Sequence, residues 1–179
     1  MRRTRPFVSL GAMVLALSSA AAPGDVVDVA DNGFTIRETA TVSADAARAW
    51  AALVDVGKWW DPEHTYSHDA ANLTLEAKPG GCWCEKLPNQ GGVVHGTVLF
   101  VDPGKLLRLS SGLGPLQALG VDSVMTWALQ PAEKGTTVEV TYRSGGYRPG
   151  GFQDLAPIID RVLRAQVDRY QRYVNTGKP

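Results

Sequence analysis

Cysteine and histidine are scarce in this chain. Two cysteines and three histidines occur among 179 residues, and all five fall between His64 and His95. No stretch completes a catalytic signature. A nucleophile elbow for Ser-His-Asp chemistry is missing. The glycine-rich run Gly112-Leu113-Gly114-Pro115-Leu116-Gln117 lacks the lysine and the strand-to-helix setting of a phosphate loop, which excludes nucleotide binding there. Lysine and arginine total 18, matched by 18 acids and scattered except for a few on the last predicted helix, a distribution that argues against nucleic acid. After residue 22 no apolar run approaches the ~20 residues of a membrane-spanning helix. No fixed-period repeat and no low-complexity linker are visible.

What is present begins with a leader. Arg2, Arg3 and Arg5 precede an apolar run from Phe7 to Leu17 and the small residues Ala20-Ala21-Ala22, the order of a secretory signal peptide over residues 1–22. The expectation is a periplasmic or secreted protein. An uncleaved membrane anchor is the alternative, for which the apolar run is short. Residues 23–32 read as an N-terminal extension and residues 33–176 as one domain. The leader holds three arginines and no acid, so the remainder carries three more acids than bases.

The pattern along that domain predicts an α+β fold. Phe34, Ile36 and Val42 alternate with polar residues as in a half-buried strand. Ser43 reads as an N-cap for a helix over residues 44–54, and Lys58-Trp59-Trp60-Asp61-Pro62 as a short second helix or turn. From residue 72 the period is two, giving six further strands broken by Pro/Gly-rich turns too short for parallel crossovers. Leu155, Ile158, Ile159, Val162, Leu163, Val167 and Tyr170 then form the apolar stripe of a long helix with Asp154 as its N-cap. Such a helix can cover the concave face of a curved antiparallel sheet of about seven strands and leave a pocket between them.

Strand, two short helices, six strands and a long C-terminal helix is the order of the helix-grip fold. Over residues 34–175 the chain resembles the SRPBCC or START-like superfamily, on the polyketide cyclase-like and heat-shock-ATPase-activator-homologue-like side. The resemblance is carried by Val42-Ser43-Ala44-Asp45 followed by Trp50, by Trp59-Trp60, by Gly80-Gly81 opening a strand, by Gly96-Thr97-Val98 through Asp102-Pro103 and Leu106, and by Trp127. It implies an internal cavity for an apolar or amphipathic small molecule and leaves the chemistry open.

Several side chains are candidates for that cavity. If Leu87 opposes Val93 across the Pro88–Gly92 turn, Glu85 opposes His95 and Trp83 opposes Thr97, with Cys82, Cys84, Gly96 and Val98 on the other face. A histidine held by a carboxylate is a prepared general base, although the same pair also suits a surface ion pair. Trp59, Trp60, His64, Tyr66, Trp83, Trp127 and Tyr142 are candidate ligand contacts or, alternatively, core packing. Cys82 and Cys84 are free thiols, a Cys-x-Cys disulfide, or two ligands of a zinc completed by His64 or His68. No other cofactor is implied. Three functions follow: an exported carrier of a hydrophobic small molecule, a cyclase or hydratase using His95 and Glu85, and a metal or redox protein using Cys82 and Cys84.

Overall fold

The computed structural model describes residues 25–179, and the expected leader lies outside the described residues. Its strands are β1 Asp25–Ala30, β2 Gly33–Val42, β3 Leu73–Leu75, β4 Cys82–Lys86, β5 Gly92–Asp102, β6 Leu106–Ser110, β7 Val121–Ala132 and β8 Gly135–Gly146. They form one antiparallel sheet in the order β1-β2-β8-β7-β6-β5-β4-β3. The strand beyond the expected seven is β1, formed by residues read as an extension, which folds back on β2 through Asp31 and Asn32.

Alternation gives the sheet one buried face. Phe34, Ile36, Glu38, Ala40 and Val42 of β2 point inward, as do Met125, Trp127 and Leu129 of β7 and Val138, Val140 and Tyr142 of β8. Helix α1 (Ala46–Val54) and three single 3₁₀ turns carry the chain across that face from β2 to the opposite edge at β3. Helix α2 (Ala156–Thr176) then lies over β2 and buries Ile159, Leu163, Val167 and Tyr170. Trp59, Trp127 and Tyr170 meet edge to face with centroids 5.7, 5.3 and 5.5 Å apart, locking the first crossing segment between sheet and helix.

Both expected helix caps take another form. The N-cap of α1 is Asp45, whose carboxylate accepts from the Arg48 backbone N–H at 2.8 Å; Ser43 instead binds Asn175 at the end of α2. Asp154 does not cap α2, because its carboxylate is drawn into two hydrogen bonds with the Arg148 guanidinium at 2.7 and 3.0 Å. The Trp59-Trp60 stretch, read as a short helix or a turn, is a turn between two 3₁₀ turns, Val56–Lys58 and Pro62–His64, the latter opened by Pro62 and capped by Asp61.

Candidate active site

Between α2, the 60–66 segment and the 113–115 loop lies a cavity of about 360 Å³. Leu113, Pro115, Ile158, Ile159, Val162 and Leu163 supply apolar wall; Trp60, Thr65, Tyr66 and His95 line its other side, with Glu63 and His64 at the exposed rim. The 60–66 wall is pinned from behind by α2. Gln166, fully buried, accepts the Asp61 N–H at 2.8 Å through Oε1, and Arg169 Nε donates to the Trp59 carbonyl at 2.9 Å.

Glu85 on β4 and His95 on β5 meet inside this architecture. Both are buried, at 1% and 6% exposure, with His95 Nε2 2.7 Å from Glu85 Oε2. The backbone N–H of Tyr66 donates to the same Glu85 oxygen at 3.1 Å and that of Ser67 to Oε1 at 2.5 Å. Burial pushes the Glu85 carboxyl up, but the bonds from Ser67, Tyr66 and His95 outweigh it and hold the group below its ordinary value. An ionised carboxylate has no proton to give, so His95 donates Nε2–H and, when neutral, carries its lone pair on Nδ1. Its ring packs between Trp83 (5.5 Å) and Tyr66 (5.9 Å), and its carbonyl accepts from Ser111 Oγ at 2.8 Å.

The pair forms in a different register from the one predicted. Glu85 lies opposite Val93 and Lys86 opposite Gly92; Cys84 then faces Val94 while Trp83 faces Gly96, leaving His95 as the extra residue of a β-bulge. The bulge resets the alternation, so His95, Gly96 and Val98 are all buried while Thr97, opposite Cys82, points out. Gly96 is required there: a Cβ would stand 2.9 Å from the Ser110 carbonyl oxygen.

Of the candidate ligand contacts, the structure puts Trp60, His64 and Tyr66 on the cavity wall. Trp59, Trp83 and Trp127 do not line the cavity; together with Trp60 they surround a void of about 10 Å³, room for at most one water, and belong to the core. Trp83 still backs the His95 ring. Tyr142 is core as well, its hydroxyl donating to the Ser111 carbonyl at 2.8 Å and accepting from Leu113 N–H at 3.3 Å. Missing from the predicted set are Glu63 and Thr65, whose only signal was the Asp61-Pro62 turn start, and the α2 residues Ile158 and Val162, read there as sheet-covering stripe.

Cys82 and Cys84 are joined in a disulfide on the other face of β4. Neither sulfur is then a thiolate, and no group of three or more His, Cys, Asp or Glu converges among the described residues, so the donor set does not fit zinc. His68 is exposed and does not line the cavity.

A family model described as Polyketide cyclase / dehydrase and lipid transport matches residues 33–175. No curated protein matches the chain. Among solved structures, a protein from Mesorhizobium loti superposes with a TM-score of 0.56 at 19% identity, over 77% of this chain and 94% of its own. A conserved protein of unknown function from Enterococcus faecalis gives 0.60 at 16% identity, over 84% and 77%. The di-domain ARO/CYC StfQ from the steffimycin biosynthetic pathway gives 0.56 at 17% identity, over 81% of this chain and 50% of its own. At such identities the likeness is one of fold.

Proposed function

The chain belongs to the polyketide cyclase / dehydrase and lipid transport family, and on that premise we propose that it is an enzyme moving protons on an apolar carbonyl compound bound in the 360 Å³ cavity. The observation that carries this reading is the buried Glu85–His95 hydrogen bond at the wall of a largely apolar cavity. His95 takes a proton through Nδ1 from the carbon next to the carbonyl, and the C–H electron pair moves to form an enolate. That enolate either adds to a second carbonyl of the same molecule or expels a hydroxyl one carbon further on. The proton held by His95 passes to the oxygen so formed or released, and the Glu85 carboxylate opposes the imidazolium charge in between.

A second reading keeps the cavity and drops the chemistry: an exported carrier of a hydrophobic small molecule, supported by the apolar wall from Leu113 to Leu163. In either case we take the protein to be exported to the periplasm or beyond. The N-terminal leader pattern supports this, as does a disulfide, which persists in oxidising compartments.

Solvent-deuterium exchange into 2-tetralone, a bicyclic apolar ketone with an acidic C–H, separates the two. Proton transfer predicts exchange well above buffer, reduced about 10²–10⁴-fold in a folded His95→Ala variant. Saturable tetralone binding with exchange at the buffer rate in both proteins would leave the carrier.

A further inference from the structure

Residues 82 and 84 are two apart on an extended strand, where Cα atoms two apart lie about 6.6 Å from each other. Here they are 5.3 Å apart, drawn together by the bond between their sulfurs. This shortening of β4 faces the place where the β4–β5 register shifts between Trp83 and Cys84, so that the one step Trp83–Cys84 opposes the two steps Val94–His95–Gly96. A contracted segment on one strand and an extra residue on its partner bend the sheet at the same point. Glu85 directly follows the contraction, and His95 is the bulged residue. Without the bulge, the pairing of Cys82 with Thr97 and Trp83 with Gly96 would continue by placing His95 opposite Cys84, on the outward face and away from Glu85.

We propose that the Cys82–Cys84 disulfide is a positioning element for the Glu85–His95 pair, and that its reduction disengages the base. This rests on the proton-transfer reading only where turnover is measured, since the effect on His95 itself is structural. Both cysteines are half-buried rather than core, which leaves them open to a small dithiol. One thiolate of the dithiol attacks one sulfur of the pair. The Sγ–Sγ bond breaks, and the other cysteine leaves as a thiolate and takes up a proton. The second thiol of the reductant then displaces the first cysteine, so two electrons and two protons pass to Cys82 and Cys84 while the dithiol ends as its own cyclic disulfide. Relieved of the link, residues 82–84 extend by about 1 Å toward ordinary strand spacing, and the Glu85 carboxylate moves relative to the bulge.

The test is proton–nitrogen NMR of the full chain with labelled histidine and tryptophan, oxidised and after dithiothreitol, beside a Cys82→Val/Cys84→Val variant that keeps β-formers on the strand without the bond. The expected result, in the reduced protein and in the variant alike, is loss or a large upfield shift of the hydrogen-bonded His95 Nε2–H resonance, with the Trp59 and Trp127 indole signals unmoved. On tetralone exchange, the apparent kcat falls on the order of a hundredfold with KM little changed, as for a base displaced by about an ångström. An unchanged His95 resonance in the variant overturns the proposal, as do two freely alkylated cysteines in protein prepared without reductant. Collapse of every indole signal on reduction, with the valine variant folded and its His95 resonance intact, makes the disulfide a general staple and also overturns it. A redox-dependent His95 signal in a protein without exchange activity sustains the positioning role and removes the enzymatic reading.

Discussion

The Glu85 carboxylate holds the backbone of Ser67 as closely as it holds the His95 ring, with Ser67 N at 2.5 Å and His95 Nε2 at 2.7 Å. One side chain therefore fixes both the base and the 66–67 segment at the cavity edge. Glu85→Ala leaves two part-buried backbone donors and the buried His95 N–H without an acceptor, and is expected to cost roughly 3 kcal/mol of stability. His95→Ala removes one donor from a carboxylate that keeps two others and should cost clearly less, although both variants should lower exchange strongly. Urea unfolding of the two variants side by side checks the order; equal losses would mean that Glu85 does not hold the 66–67 segment.

Acid should expose the same bond. Glu85 is held below its ordinary value in the folded protein. Its contribution to stability is therefore complete above the unfolded carboxylate range and is lost as pH falls through the depressed folded value. Wild type should lose stability steeply on acidification below about pH 4, the ordinary carboxylate range. Glu85→Gln, less stable at neutral pH, should lose less over the same interval. Parallel curves from thermal unfolding at stepped pH would show that other carboxylates govern the acid limb.

The aromatic side chains divide into two groups that mutagenesis can separate. Trp127 is 3% exposed and packs on Trp59 and Tyr170, so Trp127→Ala should cost about 3–5 kcal/mol. Tyr66 is 50% exposed and lines the cavity. Tyr66→Ala should change stability by no more than about 1 kcal/mol while weakening 2-tetralone binding severalfold. Calorimetric unfolding together with fluorescence titration measures both. A Tyr66→Ala variant with the full affinity would remove that residue from the site.

This division shows where legibility ended. Strand positions and the covering helix could be read from periods of two and of about 3.6, since burial of one face imposes those periods wherever an element packs. Register could not. Hairpin pairing depended on closing Lys86 against Gly92 and on an added residue at His95, and neither leaves a mark in hydrophobicity. The Glu85–His95 pairing was expected as a direct cross-strand pair and arises through the bulge. Trp59 and Trp60, adjacent and chemically alike, both pack in the core, and of the two only Trp60 also reaches the cavity wall. Asp154 and Ser43 are both sound capping residues, and each is claimed by another partner, Asp154 by Arg148 in the preceding loop and Ser43 by Asn175 at the far end of α2.

Under α2, Arg164 Nη1 lies 3.6 Å from Glu38 Oε2, and the Glu38 side chain is only 3% exposed. The other Glu38 oxygen and Asp160 Oδ1 are buried without hydrogen-bond partners. A proton held between the two carboxyls would satisfy both. Burial, opposed by Arg164 and reinforced by Asp160 and Asp168, pushes Glu38 from 4.5 up to about 7. An acid whose folded value is raised binds a proton that the unfolded chain has already released, so stability falls as pH rises from about 4.5 to about 7 and stays lowered above that. The loss is on the order of 3 kcal/mol. Glu38→Gln replaces the proton with an amide that can donate to Asp160 and accept from Arg164 at any pH. The variant should be more stable than wild type at pH 8, and its stability should be nearly flat across the window where wild type declines. Urea midpoints at pH 5, 6, 7 and 8 measure this, and the same decline in both proteins would show that Glu38 is not the group that titrates.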